Sequence, residues 1–379
     1  MKSVIDKNKS WIDSTWEKVD SKLSKKAIKS RNKLPSTSIN GVHDDCSERP
    51  GWWTNGFWGG MMWLMYEATG NDEYKKTAER SEQLLDKAFE DFKGLYHDVG
   101  FMWHILSGAN YRLTGSISSC NRNLYAAASL FSRYNLDGEF ISAWNWGCED
   151  YSIIDSVMNI PLLYWASDEI GQDRFKRIAT KHMDMTIRDH IRPDGSVNHI
   201  VVHERDRVGV KEVKAGQGYS ADSSWSRGVA WAVYGSIISY IHAGKDEYLE
   251  VAKRCADYFI EECKKTDYLP VIDFKAPSTP VLYDSTAGVI TACGLLEIAR
   301  YVSEVESKRY VQEAINLLKA CDEKFCNYDN EEDCLVLMGS GCYPKQESHW
   351  KGVQVPIIYG DFFFVEALCK LKGRKFLIW

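Results

Sequence analysis

Long apolar runs alternate with charged amphipathic runs along most of the chain. Three of the apolar runs end at a glycine that is closely followed by an aspartate and a charged run, at residues 69–72, 170–173 and 243–246. Glycine ends a helix because it adopts the left-handed conformation without strain, and aspartate is favoured where the next helix starts. Each of these turns therefore predicts a helical hairpin.

The apolar runs recur in a way that predicts a ring of such hairpins. They begin near six positions, Trp53, Asp98, Asp155, Ser223, Asp284 and Asp361. Runs that are apolar on nearly all sides belong inside and amphipathic runs outside, so six such units predict a closed ring. The run at residues 4–23 would be the outer partner of the last inner helix, near Asp361. We therefore predict an all-α fold in a single domain that spans residues 1–379.

Two segments depart from the helical pattern. Residues 196–203 alternate between polar and apolar side chains and predict a β-strand in the long connection between the third and fourth units. Residues 136–140 resemble a hairpin turn but precede irregular Trp-rich sequence, so they predict a loop. An insert of this kind on a helical ring is typical of a ligand-binding region.

Composition narrows the class of function. The formal net charge is -6 and there are no basic blocks, which argues against a nucleic-acid partner. The first residues do not form an apolar signal region and no run of about 18 apolar residues occurs, so we expect a cytoplasmic protein without a membrane segment.

The counts of cysteine and of aromatic residues are also informative. The 11 cysteines, an odd number, predict reduced thiols rather than a disulfide framework or a zinc site. The 14 Trp and 20 Tyr exceed the needs of a core and indicate a groove for sugars or other flat ligands.

Asp98 and Asp155 are the best catalytic candidates, because each stands where an apolar inner helix begins. Two helix starts on one side of a core would bring both carboxylates into one pocket, near the positive ends of the helix dipoles. Either aspartate could instead be a plain helix cap, but each has two aromatic neighbours that favour a pocket. These neighbours are Phe101 and Trp103 for Asp98, and Trp144 and Trp146 for Asp155. Paired carboxylates are typical of glycoside chemistry, and their separation, which decides its stereochemistry, stays open.

Residues 216–231 form the densest polar and aromatic segment of the chain. Arg227 and Trp231 are four residues apart, so on a helix they share a face. An arginine beside a tryptophan suits a ring that carries a carboxylate. The alternative is a structural arginine that stacks on a core tryptophan.

His199 and His203 have a spacing that on a helix could bind a metal together with Glu204. The β-branched residues between them favour a strand, on which the two histidines would still share a side. We prefer a role for His199 in proton handling or substrate contact. The chain has no Gly-rich phosphate loop, no His-Glu-x-x-His motif and no Gly-x-Ser-x-Gly motif.

Six motifs follow one another from about Trp52 to the end of the chain. They lie at residues 53–58, 97–101, 154–165, 217–231, 273–274 with 284–285, and 360–363. In this combination the chain resembles the unsaturated glucuronyl hydrolases, glycoside hydrolase family 88. The first motif is also shared by the related unsaturated rhamnogalacturonyl hydrolases.

The resemblance implies a six-hairpin (α/α)6 barrel that uses neither a metal nor an organic cofactor. It implies oligosaccharide substrates that polysaccharide lyases leave, with a C4=C5 unsaturated uronic acid at the non-reducing end, above all glycosaminoglycan disaccharides. Asp155 would protonate C4 and direct water to C5, after which the hemiketal opens and the glycosidic bond breaks. Asp98 would be the partner carboxylate that hydrogen-bonds the ring hydroxyls. The family's substrate contacts carry over to Trp53, His97, Trp144, His199, Gln217, Arg227 and Trp231.

This role sets a requirement on the protonation of Asp155. Free aspartate has a pKa of about 3.9, so an acid that works near neutral pH needs a raised pKa. We expect burial among Ile153, Ile154 and Trp144 to raise the pKa of Asp155 against the helix dipole.

The chain departs from the family pattern at several positions. Gly216 and Val229 stand where the family usually has His and Gln. Members that favour sulfated fragments carry a Ser-x-x-Ser-x-Lys motif near the C-terminus, and here Ser340 and Lys345 match its ends while Tyr343 replaces the second serine. We therefore predict Ser340 and Lys345 as contacts for a sulfate, with a modest preference for sulfated substrate.

Two rival functions stay open at this point. One is an unsaturated rhamnogalacturonyl hydrolase acting on pectin fragments, which a comparison of glycosaminoglycan and pectin disaccharides would separate. The other is a non-catalytic sugar-binding α/α barrel, which would bind sugars without loss of the double-bond absorbance.

Overall fold

The chain is mostly helical in the computed structural model, which describes residues 2–145 and 147–379. The aromatic candidate Trp146 lies outside the described residues. Within these ranges the α-helices are α1 (Lys2–Lys7), α2 (Lys9–Lys29), α3 (Phe57–Thr69), α4 (Asp72–Leu85), α5 (Ala109–Thr114), α6 (Ile117–Phe131), α7 (Pro161–Ile170), α8 (Arg174–Met185), α9 (Ser226–Ala243), α10 (Asp246–Lys264), α11 (Ser285–Ile298), α12 (Glu304–Lys324) and α13 (Ile358–Leu371). A π-helical segment, Gly100–Gly108, leads directly into α5.

Short strands lie between the helices. They are β1 (Ser38–Ile39), β2 (Val42–His43), β3 (Tyr134–Asn135), β4 (Phe140–Ile141), β5 (Tyr151–Ile153), β6 (Ile200–His203) and β7 (Val210–Lys214). β1 and β2 form one antiparallel pair, β3 and β4 a second, and β5, β6 and β7 a three-stranded antiparallel sheet with β6 in the middle.

The inner wall of the ring consists of α3, residues 100–114, α7, α9, α11 and α13. These segments are buried almost all round: in α11 every residue from Ser285 to Ile298 is buried. Each inner segment contacts the next one, and α13 contacts α3, so the ring is closed. The amphipathic helices α4, α6, α8, α10 and α12 pack outside their inner partners. The predicted all-α ring of six hairpins is confirmed.

Left-handed glycines make the tight turns at one end of the ring. Gly70, Gly171 and Gly244 have φ values of 72°, 65° and 69°, as the sequence pattern predicted. Gly115, with φ 75°, makes a fourth such turn between α5 and α6 that the pattern did not reveal, because Ser116 rather than an aspartate caps the next helix. The turn before α12 has no glycine, and a capping box between Ser303 and Glu306 opens that helix.

The N-terminal helices complete the ring. The predicted run at residues 4–23 is interrupted at Asn8 and continues to Lys29 as α2. α2 packs against α4 and α13, and Lys372 at the end of α13 donates to Asp13 over 3.0 Å. The prediction that this run is the outer partner of the last inner helix is confirmed.

The long connections all lie at the opposite end of the ring, where the inner helices begin. The predicted strand at 196–203 is present only in its second half, as β6, and β6 is buried on both faces. The predicted loop at 136–140 lies within the small β3–β4 hairpin.

Two further features concern the chain as a whole. All 11 cysteines lie in the described part of the chain and are free thiols. No helix in residues 2–145 and 147–379 is long and apolar enough to cross a membrane.

Candidate active site

The three-stranded sheet positions Asp155. β5 ends at Ile153, which pairs with Ile200 of β6, and the next amide, that of Ile154, donates to the carbonyl of His199 over 3.0 Å. Asp155 then lies in a single 3-10 turn, Ile154–Met158, before α7 begins at Pro161. Its side chain caps no helix, so the plain-cap alternative does not describe Asp155.

Asp98 lies just before the π-helical segment and does not cap it either, since the capping position is Val99 and no side chain bonds there. The neighbouring His97 donates its backbone N–H to the carbonyl of Ala143. His97 Nε2 lies 3.3 Å from Asp98 Oδ2, and His97 Nδ1 lies 3.0 Å from the Ser156 hydroxyl. Ser156 directly follows Asp155, so this chain of contacts brings the two aspartates to the same pocket.

His199 faces Asp155 on the other side. The backbone N–H of Gln217 donates to His199 Nδ1 over 2.8 Å, so Nδ1 is an acceptor and the ring proton sits on Nε2. Nε2 lies 3.5 Å from Asp155 Oδ1, and both atoms are buried without a close hydrogen-bond partner among the described residues. The His199 ring also packs on Trp225, with 4.1 Å between ring centroids. Two neighbouring buried polar atoms without partners of their own are available to bond a ligand that enters the pocket.

The two carboxyl groups have opposite electrostatic surroundings. Burial, reinforced by the charge of Asp155, raises the pKa of Asp98 to about 8. Burial also acts to raise the pKa of Asp155, but the contact with His199 and, after it, the positive charge of Arg227 outweigh burial and lower that pKa. The expectation that burial raises the pKa of Asp155 is therefore wrong, and it is Asp98 that holds a proton near neutral pH.

The loop around Gln217 forms the wall of the pocket next to His199. Gly216 has φ 53°, and a Cβ atom there would lie 2.1 Å from His199 Nδ1, so only glycine fits. The Gln217 side chain donates to the carbonyl of Gly341, and the Gln217 carbonyl accepts from the amide of Tyr343. The loop that carries the sulfate candidates thus lies against the predicted substrate contact Gln217.

Arg227 is buried and bonded within the protein. It pairs with Asp284 at 2.6 Å, donates to the carbonyls of Ser340 and Gly341, and stacks 4.7 Å from the ring of Trp225. Trp231 has no exposed surface and packs among Phe101, Tyr359 and Phe363. This arrangement matches the structural alternative for the pair, and direct contact of either residue with the sugar stays a prediction.

An open groove adjoins the pocket. The Trp53 ring lies on one wall and packs against Phe101 and Tyr359, with Gln217 on another wall. Farther out the groove is lined by Ile39, Trp52, Pro356 and Lys351. Trp144 is half-buried, and its ring is perpendicular to that of His97, with 6.1 Å between the ring centroids.

The two sulfate candidates differ in their surroundings. Lys345 is exposed and donates to the carbonyl of Gly216 over 3.1 Å, beside the groove. Ser340 is fully buried, and its hydroxyl donates to the carbonyl of Tyr283 over 2.6 Å. The prediction that Ser340 contacts a sulfate is therefore wrong for this structure, because that hydroxyl holds the loop instead of facing solvent.

His199 and His203, which the sequence placed on one side of a strand, lie in different surroundings. His203 lies behind the sheet, where its Nε2 is 2.7 Å from the Ser152 hydroxyl and its ring stacks on Phe140. It does not share its surroundings with His199, which precedes β6 and packs on Trp225 instead. The metal alternative loses its basis, and no group of three metal-binding side chains occurs in residues 2–145 and 147–379.

Sequence reasoning missed several residues that shape the pocket. Ser156 contacts His97, Asn159 contacts the segment after Asp98, and Asp284 caps α11 while it pairs with Arg227. Ser156 and Asn159 stand within the motif that contains Asp155, but their partners lie far away in the sequence.

Known proteins are similar to this chain in sequence and in fold. A protein of Bacillus sp. (strain GL1) named unsaturated glucuronyl hydrolase is 32% identical over 331 residues, 84% of this chain and 86% of that protein. A protein of Streptococcus pyogenes serotype M1 named unsaturated chondroitin disaccharide hydrolase is 32% identical over 326 residues, 84% of this chain and 80% of that protein. A solved unsaturated glucuronyl hydrolase specific for heparin superposes with a TM-score of 0.87 at 25% identity, covering 97% of this chain and 98% of that one. No family model matches the chain.

The extent of these similarities also confirms the predicted (α/α)6 barrel. With more than 30% identity over most of both sequences, the chain belongs to the unsaturated glucuronyl hydrolases, a family of glycoside hydrolases.

Proposed function

We propose that the protein removes the 4,5-unsaturated uronic acid from the non-reducing end of oligosaccharides that polysaccharide lyases produce, with glycosaminoglycan disaccharides as the main substrates. The observation that carries this proposal is the pair of Asp155, which is buried, and Asp98, which is largely enclosed; their pKa values diverge, and an aromatic groove lies beside them. The names of the relatives, which refer to unsaturated glucuronyl and chondroitin substrates, agree with it.

The proposed reaction is a hydration of the C4=C5 bond, after which the hydrated sugar ring opens and the glycosidic bond breaks. A proton adds to C4, water adds to C5, and the resulting hemiketal opens to a C5 ketone while the former ring oxygen becomes a hydroxyl on C1. C1 then carries both this hydroxyl and the glycosidic oxygen, so it collapses to an aldehyde and releases the second sugar. The protein has to supply one proton donor near C4 and a group that takes a proton from water.

The carboxylate pair provides both groups. We assign Asp155 as the acid and base that faces C4 and C5, with His199 Nε2 orienting it, and Asp98 as the partner that bonds the ring hydroxyls. Near neutral pH the free enzyme holds one proton on the pair, and this proton rests on Asp98. A bound uronate places a second negative charge near Asp155 and raises its pKa, which favours transfer of the proton to it. Activity should therefore fall as pH rises through about 8, where Asp98 loses its proton.

The groove would hold the second sugar. Trp53 offers a flat apolar face, and Lys345 at the edge of the Gly216 loop offers a positive charge for a sulfate on that sugar. The preference for sulfated substrate thus depends on Lys345 without Ser340.

The experiment is a panel of unsaturated disaccharides. The ultraviolet absorbance of the C4=C5 bond should decay with chondroitin, hyaluronan or heparin disaccharides and more slowly with a pectin-derived disaccharide. Faster decay with the pectin compound would assign the protein to the rhamnogalacturonyl alternative. Saturable binding without decay on any substrate would contradict the enzymatic proposal.

Two further properties are proposals of the same kind. Because the first and last helices close one ring, we propose that residues 1–379 form one catalytic unit. Because all 11 cysteines are free, we propose that the protein works in a reducing compartment, the cytoplasm.

A further inference from the structure

The segments that carry the two aspartates touch at one point. A Cβ atom on Gly100 would lie 2.6 Å from both Cα and the carbonyl oxygen of Asn159 and 2.7 Å from its Oδ1. No side chain larger than hydrogen fits there, so the start of the π-helical segment and Asn159 lie in direct backbone contact. Asn159 itself is fully buried.

The side-chain amide of Asn159 hydrogen-bonds the segment after Asp98 and the segment of Asp155. Its Oδ1 accepts from the backbone N–H of Phe101 over 2.8 Å, which fixes the opposite end of the amide as the donor. The Nδ2 group donates to the carbonyl of Asp155 over 3.4 Å. The amide also favours the ionised form of the Asp98 carboxyl group and so acts to lower its pKa. One amide therefore contacts the protein on both sides of the pocket.

The bond to Phe101 has a clear physical origin. The first N–H groups of a helix have no acceptor within that helix and need a partner from elsewhere. Asn159 supplies this partner from 58 residues away in the sequence. Loss of this acceptor would leave a buried N–H unsatisfied at the helix start that holds Asp98.

We propose that Asn159 is a positioning residue that holds the segments of Asp98 and Asp155 at a fixed separation. This inference rests on the proposed function, in which the two carboxylates share one proton. A polar amide that favours the ionised form eases loss of the proton, so Asn159 limits how far burial can raise the pKa of Asp98. The residue thereby sets the upper end of the pH range in which the enzyme works.

Other charged and titratable groups also face Asp98, and none of them offers the same control. His97 lies 3.3 Å away, but burial lowers its pKa to about 3, so it is neutral. The negative charge of Asp155 raises the pKa of Asp98, and the positive charge of Arg133 lowers it. The amide of Asn159 acts in the same direction as Arg133, and unlike Arg133 it also bonds the backbone that follows Asp98.

The test compares Asn159→Ala and Asn159→Asp with the wild-type protein on an unsaturated chondroitin disaccharide. Asn159→Ala removes both the acceptor and the donor, so kcat should fall at least about tenfold with KM within about threefold, the scale for groups that orient catalytic residues. Its alkaline limb should move up by about half a pH unit or more, because the amide that favours the ionised Asp98 is gone. Asn159→Asp keeps the acceptor for Phe101 and adds a like charge, so its alkaline limb should move up further.

Asn123→Asp is the matched control. Asn123 is also a buried asparagine, but it lies in α6 and contacts His104 rather than the pocket. This variant should lose thermal stability and keep the wild-type pH profile. If the Asn159 variants fold and their alkaline limbs coincide with that of the wild type, the positioning role is overturned, even if kcat is lower.

A second readout does not depend on turnover. The pH dependence of the unfolding temperature should reveal the same upward shift when Asn159→Ala is compared with the double variant that also carries Asp98→Asn. Absence of turnover by the wild-type protein would count against the proposed function, whereas an unchanged unfolding profile would count against Asn159. The two failures are therefore distinguishable.

Discussion

At the scale of residues, the two aspartates differ in protonation because different groups surround them. Asp155 faces His199 Nε2 at 3.5 Å, and this contact lowers its pKa in spite of burial. Asp98 has the neutral His97 beside it and the charge of Asp155 nearby, so burial prevails and its pKa rises to about 8. A pair that holds one proton near neutral pH is suited to acid and base work within one turnover.

Replacement of Asp155 by asparagine tests its role. Asp155→Asn keeps the shape but removes the transferable proton, so turnover should fall at least about a hundredfold while the protein stays folded. Asp168→Asn, at an exposed position of α7, is the control and should be fully active. Retention of more than a tenth of the wild-type rate by Asp155→Asn would remove this residue from the acid and base role.

The raised pKa of Asp98 should make the folded protein less stable as pH rises. An unfolded aspartate titrates near 3.9, so between about pH 4 and pH 8 the folded state binds more protons than the unfolded state, and stability falls as pH rises. Asp98→Asn does not titrate, so its unfolding temperature relative to the wild type should rise by several degrees between pH 5 and pH 8. Asp329→Asn, at an exposed site, should show no such trend. A difference that is independent of pH would contradict the raised pKa.

Lys345 should determine the preference for a sulfated substrate. A charge-assisted contact is typically worth about 1.5–3 kcal/mol, but Lys345 is exposed and already bonds Gly216, so we expect a modest preference of no more than about tenfold for 6-sulfated chondroitin disaccharide. Lys345→Ala should remove this preference and leave kcat/KM on the unsulfated disaccharide almost unchanged. Lys351, which lines the groove, serves as the comparison: loss of the preference in Lys351→Ala, with Lys345→Ala unaffected, would move the site to Lys351.

At the scale of elements, the sheet insert is what joins the catalytic groups. Pairing of β5 with β6 brings His199 beside Asp155, although 44 residues separate them in the sequence, and the glycine loop before α9 fixes the His199 ring. The helices supply the frame, and this small insert sets the geometry of the pocket.

Gly216→Ala tests the loop. A methyl group at φ 53° would both strain the backbone and collide with His199 Nδ1, so His199 should move away from Asp155 and kcat should fall at least about tenfold. Gly209 lies in the same insert, has an ordinary φ, and has its nearest neighbour, Glu204 Cγ, at 3.4 Å. Gly209→Ala should therefore keep its activity. Equal activities of the two variants would show that the loop does not hold His199.

The elements also show what could be predicted from the sequence. The ring of hairpins was predictable because glycine turns such as Gly70 and the apolar runs are local signals. β5 was not, because its three residues pair with a strand far along the chain and lack an alternating pattern. The lowered pKa of Asp155 and the burial of Ser340 depend on contacts with His199 and Tyr283, and a sequence pattern does not contain such contacts.

At the scale of the whole molecule, the ring closes through polar contacts between the two ends of the chain. Asp333, in the connection before α13, accepts from Lys26 and Lys29 of α2 and from the backbone of His43. Lys26 and Asp333 are both buried, so each depends on the other for compensation of its charge. These contacts keep the first outer helix against the last inner helix.

Asp333→Ala should therefore destabilise the ring. It would leave the buried Lys26 without its partner, and breaking a buried pair in this way costs about 3–5 kcal/mol in the free energy of unfolding. Lys29→Ala removes a half-exposed partner of the same carboxylate and should cost less than about 1 kcal/mol. Denaturant unfolding measures both values, and equal small losses would contradict this account of ring closure.

The central claim is that the pair Asp98 and Asp155 serves a hydration of the C4=C5 bond. The most direct measurement is the reaction of an unsaturated chondroitin disaccharide in heavy water, followed by ultraviolet absorbance and by nuclear magnetic resonance of the products. The account predicts loss of the absorbance, one deuterium on C4 of the uronic acid, and release of the second sugar at the same rate. Release of the second sugar with the absorbance retained and no deuterium on C4 would mean direct cleavage of the glycosidic bond, and would contradict the account.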